Sequence, residues 1–179
     1  QIVQVELDAA VISRQKIEID LSIQTDVNIF VDDLLGQKIN LNNFDNWHGC
    51  CASWKRRFKV FNEPHTTSEK EINFYHFAES LSKNLLPNSC VVTDAGSAFY
   101  VMGQALRLSE GQRFISSGSL GAMGFALPAA NGAAAACISE PTICVTGDGS
   151  LMTNLHDLAT MKEQNSNLKL FVINNDGYV

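Results

Sequence analysis

TICVTGDGSLMTNLHDLATMKEQNSNLKLFVINNDG, residues 142–177, decides the fold of this chain. The apolar run 142–146 reads as a buried strand that stops at Gly147-Asp148-Gly149. Apolar residues then recur at helical spacing over 151–164, at Leu151, Leu155, Leu158, Ala159 and Met161. A second apolar run, 168–173, ends at Asn174-Asn175-Asp176-Gly177. This is one strand–helix–strand unit, and such units connect parallel strands with a right-handed crossover. Parallel strands end at the same edge of the sheet. Neighbouring strands lie ~4.8 Å apart, so Asp148 and Asn175 can face each other across that edge.

The chemistry follows from the juxtaposition. A carboxylate and an amide oxygen meet beside a helix N-terminus. The N-terminus offers unpaired N–H groups and partial positive charge, which suit a phosphate or diphosphate. Two oxygens suit a hard divalent ion such as Mg²⁺, which takes few protein ligands and completes its shell with phosphate and water. The glycines permit tight turns and a close backbone approach. The expectation is a metal–diphosphate site at the carboxyl edge of a parallel sheet. The bland alternative is an ordinary turn that happens to spell Gly-Asp-Gly.

Gly-Asp-Gly, then the 24 residues 150–173, then Asn-Asn resembles the thiamine-diphosphate motif. The surrounding chain resembles the acetolactate synthase-like branch of those enzymes. The resemblance implies that Asp148, Asn175 and the carbonyl of Gly177 hold Mg²⁺, which in turn holds the cofactor diphosphate. Gly147, Gly149 and the hydroxyl of Ser150 are then diphosphate contacts.

Upstream, Ser117-Gly118-Ser119-Leu120-Gly121-Ala122-Met123-Gly124-Phe125-Ala126-Leu127-Pro128 resembles the family segment that precedes the metal motif. Its glycines at three-residue intervals are poor helix material. They fit a tight loop that opens into a small-residue helix. The resemblance implies that Met123 wedges under the cofactor and forces its two rings into a V. That shape brings the 4′-amino nitrogen near the thiazolium C2 proton, and the carbonyl of Gly121 accepts a hydrogen bond from the amino group. The alternative for Met123 is a core methionine. A third loop, Asp94-Ala95-Gly96-Ser97-Ala98, follows the apolar strand 90–93. In the acetolactate synthases this loop carries Gly-Gln-His near the diphosphate. Here Gly96 and Ser97 are the candidate contacts, and Ser97 reads equally as a plain helix N-cap.

The composition, 45% hydrophobic and 18% charged, is that of an ordinary globular protein. A net charge of −6 argues against nonspecific nucleic-acid binding, and Lys55-Arg56-Arg57 reads as a short solvated patch. No run reaches the ~18 apolar residues of a membrane span. Five cysteines without metal-ligand spacing read as reduced thiols of a cytoplasmic protein. His156, in the helix after the motif, reads as a polar residue beside the sheet edge rather than a substrate contact. The chain starts at Gln1 and stops just after the motif, so both ends look cut.

Three regions follow from the pattern. Residues 1–36 alternate strand and helix, with strands over 2–7 and 20–23 and a helix over 27–35. They resemble the tail of the family's central Rossmann-like domain. Some members bind FAD there, and FAD is left open here. Asp8 and Asp26 read as solvated loop carboxylates. Residues 37–70 read as a polar connection with one helix over 47–60. In it Trp47, Trp54 and Phe58 form an apolar stripe, and Thr67 or Ser68 is a possible N-cap. Residues 71–179 alternate regularly: helix 72–85, strand 90–93, helix 97–106, strand 113–115, helix 122–138, strand 142–146, helix 151–165, strand 168–173. This is a doubly wound parallel α/β sheet with flanking helices, incomplete at its C-terminus.

The resemblance implies a thiamine-diphosphate- and Mg²⁺-dependent decarboxylase or carboligase acting on a 2-keto acid, pyruvate by default. It also implies a homodimer or tetramer. A pyrimidine-binding domain from another subunit would supply the activating Glu. The competing class is a non-catalytic cofactor-binding or assembly module of the same ancestry.

Overall fold

The structure, a computed structural model, describes residues 1–37, 43–61, 71–137, 140–165 and 167–177. The candidate cap at Thr67 or Ser68 lies outside them. Residues Gln1–Ala52 form one compact unit and Ser53–Val179 another.

In the first unit, β1 (Val3–Glu6) pairs in parallel with β2 (Leu21–Gln24), Val3 opposite Leu21. Two helices follow their strands, α1 (Ala9–Ser13) and α2 (Val27–Gly36). Asp8 and Asp26 are their N-caps, each accepting a 2.8 Å bond from the backbone N–H two residues on. These carboxylates therefore satisfy helix-end donors rather than waiting in open loops. Helix α3 (Asp45–Arg57) runs close to the expected span. Trp47, Trp54 and Phe58 are all exposed, so the apolar stripe read from the sequence is not a buried face.

The second unit is built on a four-stranded, all-parallel sheet. Its strands are β3 (Cys90–Thr93), β4 (Arg113–Ile115), β5 (Thr142–Gly147) and β6 (Leu168–Ile173), in the order β4-β3-β5-β6. Strands β3 and β5 are central and buried on both faces, which explains their unbroken apolar runs. Helices cover both faces. On one side Val91, Ile143 and Val145 pack with Ala78 of α4 (Phe74–Asn84) and with Met102 and Ala105 of α5 (Ser97–Ala105). On the other, Cys90, Val92 and Cys144 pack with Leu127, Ala130 and Ala134 of α6 (Ala126–Ala136). The doubly wound parallel sheet expected from the alternating pattern is the observed fold. Among the described residues no helix is long and apolar enough to cross a membrane.

Three boundaries differ from expectation. Helix α4 starts at Phe74, because the Asn73 side chain accepts from the N–H groups of Tyr75 and His76. Helix α6 starts at Ala126 rather than 122: Gly118, Gly121 and Gly124 all have positive φ, which no α-helix contains. The helix expected over 151–165 is two helices, α7 (Asp148–Thr153) and α8 (Asp157–Gln164), with a break at 154–156.

Candidate functional site

Chain direction through the sheet reverses between β3 and β5. From β3 the chain moves out to β4, then crosses back to β5 and on to β6. Ligands of open α/β sheets bind at such a reversal, beyond the carboxyl ends of the strands. Here a cavity of about 450 Å³ opens at that place. Four loops line it: Gly96 and Ser97 after β3, Met123 before α6, Gly147 to Ser150 after β5, and Asn174, Asn175 and Gly177 after β6. Ile72, Phe74 and Ile173 add an apolar wall. Of the residues named as cofactor or metal contacts in the sequence, Gly121 is the one that does not line it. It sits in left-handed conformation at the end of a short 3₁₀ turn, Gly118–Leu120.

Asp148 and Asn175 meet because β5 and β6 are neighbours in register, Gly147 opposite Ile173. Asp148 is the first residue of α7. Its Oδ1 accepts from the Gly149 N–H at 2.7 Å and its Oδ2 from the Gly177 N–H at 3.2 Å. One atom of the Asn175 side-chain amide lies 3.1 Å from the Gly177 carbonyl oxygen and 3.2 Å from Asp148 Oδ1. With nitrogen at that position, the amide donates to both oxygens. With oxygen there, three acceptor oxygens crowd together, an arrangement that a bound cation relieves. Oxygens adjacent on a Mg²⁺ octahedron, each 2.0–2.1 Å from the ion, are about 3 Å apart, so the donor set fits a small hard ion. No group of three His, Cys, Asp or Glu side chains with metal-holding geometry occurs among the described residues. A softer ion therefore finds no comparable cluster there.

The remaining candidates fall into place around this centre. Gly96, with φ +63, is the N-cap of α5, and Ser97 is the first residue of that helix. The N-cap reading of Ser97 is thereby corrected, and the exposed Ser97 faces the cavity. Ser150 is buried at the base of α7. Met123 is 47% exposed, so it is not a core methionine but a large apolar side chain at the cavity wall. His156 is exposed, immediately before α8, and is not among the lining residues.

Sequence reasoning missed two residues. Asp94 is 1% exposed, and its carboxylate accepts from three backbone amides and one hydroxyl. The signal was a lone Asp directly after an apolar strand and before a glycine. Asn154 ends the helix that follows Gly147 and donates its amide to Gly124 O at 2.7 Å. No local pattern announces that bond, whose partners are 30 residues apart. Burial pushes the Cys144 thiol beneath the site up to about 12, with the Asp94 charge adding to the effect. Cys144 is thus a neutral core residue and no nucleophile.

Residues 94–179 match the family model for the thiamine pyrophosphate enzyme C-terminal TPP binding domain. Curated relatives align along almost all of the chain. The acetolactate synthase isozyme 1 large subunit of Escherichia coli (strain K12) is 32% identical over 98% of this chain and 30% of its own length. The acetolactate synthase large subunit of Cyanidium caldarium is 30% identical over the same shares. Acetolactate synthase 2, chloroplastic, of Zea mays is 32% identical over 98% of this chain and 28% of its own. The chain thus spans less than a third of the length of these relatives. With the switch-point cavity and the Asp148–Asn175 pair, these matches lead to one conclusion: the chain belongs to the acetolactate synthase-like family of thiamine-diphosphate-dependent enzymes.

Proposed function

We propose that this chain contributes the Mg²⁺- and diphosphate-binding half of a thiamine-diphosphate site in a 2-keto acid decarboxylase or carboligase. The observation that carries the reading is the approach of three potential ligand oxygens, from Asp148, Asn175 and Gly177, at the switch-point cavity. Asp148 supplies the one negative charge among those three ligands. The Asn175 amide and the Gly177 carbonyl add neutral oxygens, leaving the rest of the ion's shell to the diphosphate and water. Gly147, Gly149, Ser150, Gly96 and Ser97 lie where they can grip the diphosphate. Met123 stands at the wall where a wedge under the cofactor rings belongs, and Gly121 lies two residues before it. The bound cofactor supplies an electron sink for decarboxylation next to a carbonyl. The protein's part is to hold the diphosphate, exclude water from the apolar wall at Ile72 and Phe74, and fix the angle between the rings.

Pyruvate is the proposed donor substrate, on the strength of the acetolactate synthase relatives. The large-subunit names of these relatives support a multi-subunit assembly. The proposed form is a homodimer or tetramer in which another subunit's pyrimidine-binding domain completes the site. The proposed division of this chain is a central-domain tail over 1–36, a connection over 37–70 and a diphosphate-binding domain over 71–179. A cytoplasmic location fits the sequence reading of the thiols, while some relatives are chloroplastic.

The test is calorimetric titration of thiamine diphosphate into the intact protein, with and without Mg²⁺, beside Asp148→Ala. Binding should require Mg²⁺ and weaken by at least about a hundredfold in the variant, the loss expected when a charged ligand is removed from a buried ion. Mg²⁺-independent binding, or an unaffected variant, contradicts the metal assignment. No binding at all would favour a non-catalytic assembly module.

A further inference from the structure

We propose that Asp94 and Asn154 form a clamp on Gly124 whose task is to position Met123 at the cavity; the inference rests on the cofactor reading above. The peptide plane that joins Met123 to Gly124 is fixed from the sheet side, where the Gly124 N–H donates to Asp94 Oδ1 at 2.9 Å. The next peptide plane is fixed from the helix side, where Gly124 O accepts from Asn154 Nδ2 at 2.7 Å. Before Met123, the Ala122 N–H donates to Ser117 Oγ at 3.1 Å. The backbone is therefore tethered on both sides of a side chain that is itself half exposed.

Asp94 does more than hold one amide. Oδ1 also accepts from its neighbour Ala95, and Oδ2 accepts from Ala126 N at 3.2 Å and from Thr146 Oγ1 at 2.9 Å. Ala126 opens α6, whose own N-cap, Phe125, makes no side-chain cap bond. The carboxylate of Asp94 thus caps that helix from a different strand and meets its positive end. Thr146 stands two residues before Asp148. One buried charge therefore joins the strand end bearing Gly96, the loop bearing Met123 and the strand bearing the metal motif. Among the described residues no Lys or Arg forms an ion pair with it. Burying an unpaired carboxylate is costly, and four donors are what make it tolerable here.

Gly124 is the hub. Its φ is +77, and a Cβ there would run into the Thr153 side chain and lie 3.0 Å from Asn154 Nδ2. The metal-motif helix therefore rests directly on the backbone next to Met123. Loosening of Asn154 acts first on the wedge, because Asp148, Asn175 and Gly177 hold one another by their own bonds, whereas Asp94 also reaches the motif strand through Thr146.

That separation supplies the test. Calorimetry on the intact protein compares thiamine diphosphate with inorganic diphosphate, each with Mg²⁺, in wild type, Asp94→Asn and Asn154→Ala. The rings reach Met123 only in the first ligand. Asn154→Ala should bind thiamine diphosphate at least about tenfold more weakly, while inorganic diphosphate stays within about twofold, since it loses a hydrogen bond on the Met123 side alone. Asp94→Asn, which also touches the motif strand through Thr146, should weaken both ligands but thiamine diphosphate at least about fivefold more. Equal losses for both ligands would overturn the clamp, as would unchanged affinities. Should Asp94→Asn fail to fold, Asn154→Ala at its half-buried position decides alone. A wild-type protein that binds neither ligand overturns the cofactor reading and the clamp with it. A wild type that binds both, beside variants of unaltered preference, overturns the clamp and leaves the cofactor reading standing.

Discussion

The Cys144 thiol is buried in the strand that leads to the cavity, and it makes stability depend on pH. Burial, and then the Asp94 charge, pushes the Cys144 thiol from 9.0 to about 12. Burial also raises the neighbouring Cys90, with Cys137 adding to the shift and Arg113 opposing it. A raised folded value means that the folded chain keeps a proton the unfolded chain gives up. The resulting stabilisation is complete below the unfolded thiol pKa and is lost as pH climbs toward the folded one. Urea unfolding should therefore show stability falling between about pH 9 and pH 12, and Cys144→Ala should flatten part of that fall while lowering stability at neutral pH. A pH profile identical in wild type and variant would mean that the thiol is not the group responsible. Met123 carried two readings in the sequence, a wedge and a core methionine. Its exposure excludes the second, because a methionine that packs a core is not half exposed.

Helix ends carry much of the difference between expectation and structure. Asn73 shows why. Its side chain accepts from Tyr75 N at 2.9 Å and His76 N at 3.4 Å, and so stops α4 from beginning any earlier. Asn73→Ala should lower unfolding free energy by about 1 kcal/mol, read from denaturant midpoints, whereas Asn73→Ser should retain most of it. The strands were legible because 90–93 and 142–146 are unbroken apolar runs closed by Asp or Gly, the pattern of strands buried on both faces. The meeting of Asp148 and Asn175 was legible because the two residues follow the ends of neighbouring parallel strands. The break after α7 was not. It coincides with a bond between residues 30 positions apart, Asn154 to Gly124, and no window of neighbouring residues records it. The late start of α6 was legible in part, in the glycines at 118, 121 and 124, while its cap by Asp94 was not. The N-cap of α5 was misplaced by one residue for a simpler reason: a glycine at φ +63 can occupy the cap without offering a side chain, and serine is the more familiar signal.

At the scale of the molecule, the strand order converts a sequence motif into a site. Alternating strands and helices imply a parallel sheet, yet they do not say on which side of β3 the chain returns. The return to the side of β3 away from β4 opens the crevice in which all four loops meet. The crevice is then closed from beneath by a single carboxylate shared among segments 30 to 52 residues apart. The amides of Ala95, Gly124 and Ala126 therefore have a common acceptor, and none can open to solvent without loosening the grip on the others. In hydrogen–deuterium exchange these three should behave as one cooperative unit, exchanging together and slowly. In Asp94→Asn they should speed up and separate. On this view the crevice is a late product of folding, because its floor exists only once β3, α6 and β5 have all come together.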